Sequence, residues 1–244
     1  MKIMIIATIF ISTILMNLQI AFAEPHIQIN SHVKYANGGF VSEEVVYYIV
    51  TDPQGHVLGY DPRTKQHYNE FDGGYGSEGI GDINTVVAGF IPVDGTYTIE
   101  VIGDGLMVFS IEMGIFRGNY TEGLSKLKVS GLTDTGLTSK FQMTYNSDPS
   151  KPAGSVIRVA TPSSLKQDIA LSRKIGWIDS DGIMMSLYKK AEAIEKSLER
   201  GSTGTAKNQL DALINEVNAQ KGKHIKDEVI KILLEDTQYI SEHL

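Results

Sequence analysis

The 244-residue sequence predicts two parts of different class, an antiparallel all-β sandwich followed by an all-α antiparallel four-helix bundle. Three observations carry this expectation. Before Pro162 the chain is rich in Gly, Tyr, Thr and Val, which suit strands and turns; after it Lys, Glu, Leu, Ile and Ala dominate, as helices prefer. Short runs of period two, separated by turn residues, fill the first part. Apolar residues three and four apart, closed by single glycines, fill the second. Ser147–Gly154 and Thr161–Ser164 are loops by composition. They divide the chain into a β domain over 24–160 and a helical domain over 163–244.

Residues 1–23 have the layout of a cleavable secretory signal peptide. Lys2 supplies a positive n-region, Ile3 to Met16 form an uncharged apolar run, and Ala21-Phe22-Ala23 gives the small-x-small pattern of a cleavage site before Glu24. A membrane-spanning helix needs about 20 largely apolar residues, and this run is shorter. No later stretch approaches spanning length, so the mature chain is not expected to insert in a membrane. Bacterial secretion, to the medium or the cell surface, is the expected destination.

The strands follow in order. Val45–Val50 is a β-branched and aromatic run, and Asp52-Pro53-Gln54-Gly55 is a turn with Pro preset at its second position. His56–Tyr60 returns as the second arm of a hairpin. Thr85–Ile91 is closed by Pro92-Val93-Asp94-Gly95. Thr96–Val101 and Leu106–Met113 alternate in the two-residue period of half-buried strands. Ser125–Val129, Ser139–Tyr145 and Val156–Val159 complete the set.

One connection in this part invites a chemical reading. Of the nine residues between Asp72 and Asp82, all but Tyr75, Ser77 and Ile80 are glycine or acidic, so backbone carbonyls and carboxylates are crowded together. Gly74, Gly76 and Gly79 match the G-x-G-x-x-G spacing, but that fingerprint needs a strand before it and a helix after it, and Glu78 and Asp82 would repel phosphate. Asp72, Glu78 and Asp82 are a candidate calcium set. The simpler reading, which the composition favours, is a Gly-rich connection between strands with no cofactor.

Helical signals begin at Leu165. Leu165, Ile169 and Ile175 share one side of a first helix that stops at Gly176, and the residue after the stop, Trp177, is expected to pack back on the last turn and into the helical core. Asp179, Ser180 and Asp181 offer caps for a second helix with Ile183, Leu187, Ala191, Ile194 and Leu198 inward. Gly201 stops it. Thr203 caps a third, with Ala206, Leu210, Leu213 and Val217 inward, until Gly222. Val229, Leu233 and Ile240 outline a fourth.

Two resemblances follow from these residues. The D-P-x-G turn, Gly59-Tyr60-Asp61-Pro62-Arg63-Thr64 and the later D-G-T-Y-T-I-E-V-I-G resemble immunoglobulin-like modules of bacterial surface and secreted proteins. The second part resembles the FIMAH domain through Gly176-Trp177-Ile178, Gly182-Ile183, Ser186–Lys190, Leu198–Gly201, Ala206–Leu210 and above all Ala212–Lys223. Lys226 departs from the family, which carries a small polar cap before its last helix. The resemblance implies a C-terminal appendage of secreted bacterial adhesins and hydrolases, and it implies no catalytic residues.

Composition narrows the function further. The absence of cysteine excludes disulfides, thiolate nucleophiles and Cys-based metal sites. A net charge of −7 without any Lys/Arg cluster argues against nucleic acid as partner. Neither H-E-x-x-H nor G-x-S-x-G occurs, and the six histidines are scattered. The expected function is non-catalytic binding or adhesion, with an extracellular protein or glycan as ligand. The alternatives are a hydrolase with its active site in the β domain and a calcium-dependent carbohydrate-binding module.

Overall fold

The computed structural model describes residues 25–35, 46–76, 85–117 and 125–244. The leader, Glu78 and Asp82 lie outside them. Among the described residues eleven strands and then four helices follow one another without mixing. The strands are β1 (His26–Tyr35), β2 (Val46–Thr51), β3 (Val57–Asp61), β4 (Gln66–Asn69), β5 (Tyr75–Gly76), β6 (Thr85–Phe90), β7 (Gly95–Gly103), β8 (Met107–Phe116), β9 (Ser125–Thr133), β10 (Thr138–Tyr145) and β11 (Gly154–Val159). They form two antiparallel sheets, one ordered β5-β6-β1-β8-β9 and the other β11-β10-β7-β2-β3-β4.

Alternation along the strands makes the sandwich. Met107, Phe109, Ile111, Met113 and Ile115 of β8 point inward and are fully buried. They meet Tyr97, Ile99 and Val101 of β7 and Phe141 and Met143 of β10 from the facing sheet in one apolar core. Burying each such side chain contributes about 1.5–3 kcal/mol. Buried tyrosines find polar partners: the Tyr48 hydroxyl bonds Ser31, and the Tyr97 hydroxyl accepts from the Val93 amide at 2.7 Å and donates to the Val93 carbonyl at 2.9 Å. Burial pushes the Tyr97 phenol up to about 12. Strands β1, β4 and β5 lie outside those expected from sequence. The β1 run does alternate, but through His26, Gln28, Asn30 and His32, residues of weak strand propensity.

The helices are α1 (Pro162–Lys174), α2 (Asp181–Glu199), α3 (Thr203–Gln220) and α4 (Asp227–Glu242). Thr161 caps α1 in a capping box with Ser164, and the Ser180 side chain caps α2. Thr203 does not serve as the cap of α3; Ser202 holds that position, without a side-chain bond. Lys226 stands at the N-cap of α4 and likewise provides no side-chain bond. Asp227 and Glu228 compensate, since carboxylates in the first turn suit the positive end of the helix. The stripes read from sequence meet in a second core around Leu165, Leu187, Ile194, Leu210, Leu213, Val217, Val229 and Leu233.

A third, smaller cluster joins the two domains. Leu132 of β9 packs with Leu171 of α1 and Ile232 of α4, and Leu106, Val108, Leu137 and Ile175 surround them. Trp177 touches both this cluster and the helical core, yet it stays only half-buried. The expectation that the indole would be drawn wholly inside is therefore corrected: two apolar clusters support one part of the ring, and the rest faces a crevice.

Candidate binding crevice

The crevice is made by two connections far apart in sequence. The chain leaves α1 through Gly176, whose φ of +75° is the left-handed stop that glycine accepts without strain. The amides of Trp177 and Ile178 then both donate to the Ser172 carbonyl, at 2.8 and 3.0 Å. Between α3 and α4 the chain makes a tight loop over 221–225. The two connections are zipped together: Ile178 and Ile225 form an antiparallel bridge, the Asp179 amide donates to the His224 carbonyl at 3.1 Å, and the Lys226 amide donates to the Trp177 carbonyl at 2.9 Å.

Extended backbone sends alternate side chains to opposite sides. Ile178 and Ile225 face the helical core and are buried, so Trp177, Asp179, His224 and Lys226 line the outer side. They enclose a crevice of about 430 Å³, completed by Lys223, Asp227 and Glu228. That volume is in the range of small-molecule sites, roughly 300–1,000 Å³. His224 Nδ1 lies 2.8 Å from Asp179 Oδ1, and Lys221 reaches Asp227 at 3.5 Å. The His–Asp pair has the form of an acid–base unit, but no Ser, Thr or Cys lines the crevice to serve as its nucleophile.

The candidate calcium set is not assembled by the described residues. Asp72 stands exposed in the turn before β5, while Glu78 and Asp82 fall outside the described part. Among the described residues no group of three His, Asp or Glu side chains is placed to hold a metal ion. Of the tyrosines, Tyr47 and Tyr60 with His67 form a row across β2, β3 and β4, with ring centroids 5.4 and 4.4 Å apart. Tyr48, Tyr97 and Tyr145 are core residues.

A buried polar centre, unforeseen in the sequence, lies between the domains. Arg158 of β11 turns inward, its Nε donating to Asp236 Oδ1 of α4 at 2.6 Å and its Nη2 to Asp168 Oδ2 of α1 at 2.5 Å. Nη1 donates to the Ser130 carbonyl at 3.2 Å, and the guanidinium sits 5.5 Å from the Phe141 ring centroid. Asp168 Oδ1 and Asp236 Oδ2 are buried with no hydrogen-bond partner. The sequence did hold a sign of this centre. Asp168 and Asp236 stand on the apolar stripes of their helices, where a carboxylate requires a buried partner.

Two carboxylates share one guanidinium here, so one negative charge is in excess. Burial drives the Asp236 carboxyl well above the ordinary carboxylate range; Arg158 opposes that rise, and the nearby Asp168 adds to it. The sign follows from linkage. A group whose folded value lies above its unfolded one contributes stability at low pH, and that contribution is lost as pH rises through the folded value. Asp236→Asn, which stays neutral, removes this loss. Urea midpoints of the two proteins measured across pH should converge in acid, with Asp236→Asn gaining relative stability as pH rises above the usual carboxyl range. Parallel curves would show that Asp236 does not carry the effect.

The FIMAH domain model matches residues 162–242, the whole of the four-helix module. No curated protein and no solved structure matches the chain. The sandwich before that module fits an immunoglobulin-like domain. No helix among the described residues is long and apolar enough to cross a membrane.

Proposed function

With a FIMAH domain as its C-terminal third and an immunoglobulin-like sandwich before it, we propose that the chain is an exported, non-catalytic binding or adhesion-type accessory protein of a bacterial surface. The observation that supports this most directly is the crevice beside Trp177. It pairs an aromatic wall with hydrogen-bonding groups of both signs, and it sits inside the FIMAH region. The leader over residues 1–23 supports export, and FIMAH domains occur on surface and secreted proteins. The ligand on this reading is an extracellular glycan or protein. The β domain packs against the helical module through Leu132, Leu171, Ile232 and the Arg158 centre.

The test is a binding screen of the chain from Glu24 onward against immobilised glycans and matrix proteins, with mass spectrometry of the recovered ligands. Saturable binding with intact ligands is expected. Release of cleaved product would overturn the non-catalytic reading.

A further inference from the structure

The chemistry of the crevice narrows the ligand beyond the proposal just made, on which it rests. Around Trp177 stand three carboxylates, Asp179, Asp227 and Glu228, against two ammonium groups, Lys223 and Lys226, and one imidazole, His224. The charges nearly cancel. An anionic polymer would meet three carboxylates, and a cationic peptide would meet two lysines, so neither is favoured by the field. A neutral ligand pays neither penalty. The walls also dictate a hydroxyl-rich one: carboxylates accept and lysines donate, and vicinal hydroxyls do both at once. The exposed part of an indole suits the apolar C–H face of a pyranose ring, since aromatic side chains present an apolar body beside a polar rim.

We infer that the crevice is a sugar subsite that takes one neutral hexose or N-acetylhexosamine residue of an oligosaccharide, packed on Trp177 and held through its hydroxyls by Asp179, Glu228 and Lys226. The opening is bounded by two short loops and a helix end, a compact frame that accommodates a single ring better than an extended peptide. His224 is held by Asp179 and by the Ile178–Ile225 bridge beneath it, which fixes the wall before the ligand arrives.

Trp177 is the only tryptophan of the chain, so its fluorescence reports on this site alone. The experiment titrates the chain from Glu24 onward with chitotetraose, cellotetraose and a galactose oligomer, each to about 10 mM, a range that covers weak single-site affinity. A heparin hexasaccharide is the anionic comparison. At least one neutral sugar should shift the emission to the blue in a saturable way and shield it from iodide. The response should persist at roughly 0.5 M salt, where surface charge attraction is screened. Asp179→Asn combined with Glu228→Gln should weaken it about tenfold or more, with circular dichroism showing that the variant still folds.

The inference is overturned by a flat response to every neutral sugar, by a response to heparin alone that salt abolishes, or by a sugar response untouched by the double substitution. These outcomes separate it from the wider function. A protein that captures matrix ligands in the screen but ignores all sugars keeps its binding role and loses the sugar subsite. One that binds sugar at Trp177 and also releases cleaved product keeps the subsite and loses the non-catalytic reading.

Discussion

Arg158→Met is expected to destabilise the folded chain by about 3–5 kcal/mol, the cost of removing one partner from a buried ion pair. The side chain is 4% exposed and binds two carboxylates that are 2% and 0% exposed. Methionine fills much of the same volume, so the loss comes mainly from charge. Asp168 and Asp236 would be left facing one another across an apolar seam, each already carrying an oxygen without a partner. The seam they interrupt is the contact of Leu132 with Leu171 and Ile232. Two further measurements make the test specific. Acid should relieve the Arg158→Met defect, because protonated carboxyls need no cation. The triple change Arg158→Met, Asp168→Leu, Asp236→Leu should restore near-native stability, since apolar replacement of a whole buried triad is often neutral or favourable. Urea unfolding at two pH values measures all three proteins. A single-variant loss under about 1 kcal/mol would show that the centre is wet or already relaxed.

The same residues show what could and could not be read from the sequence. Strands β7, β8 and β10 were legible because each buries one face, so period two is written in their side chains. The helices were legible for a similar reason, with Gly176, Gly201 and Gly222 marking three of the stops. Strand β4, Gln-His-Tyr-Asn at a sheet edge, buries too little to leave a pattern. Arg158 looks in sequence like an outward residue of a short strand. Its partners lie 10 and 78 positions away, and only the docking of α1 and α4 on β11 makes it central. The crevice is a mixed case. The glycine stop before Trp177 was plain, while the facing wall comes from residues 45 or more positions onward through the Ile178–Ile225 bridge. Local periodicity is inherited from local burial; contacts between distant turns leave no such trace.

Gly59→Ala is the second large effect, and it shows how one residue shapes the edge of the six-stranded sheet. Gly59 has a φ of +127°, which residues with a side chain rarely adopt. Pairing between β2 and β3 runs from Thr51–Val57 to Ile49–Gly59 and stops there, while β3 continues against β4 through Tyr60–His67. The kink at Gly59 lets Tyr60 lean on Tyr47, which points away from the core between Val46 and Tyr48. A Cβ at position 59 would lie 1.9 Å from the Tyr48 carbonyl oxygen, which is backbone and cannot swing aside. Gly55 provides the control. It also has positive φ, at +92°, but a Cβ there would meet nothing within 4 Å. Gly55→Ala should therefore cost only backbone strain, about 1–3 kcal/mol. Gly59→Ala adds a main-chain collision and should exceed about 4 kcal/mol, in the range reserved for a specific structural failure. Thermal or urea unfolding compares the two directly. Equal losses would mean that β2 and β3 can part at this point without cost, and that the Tyr47–Tyr60 contact does not depend on the glycine.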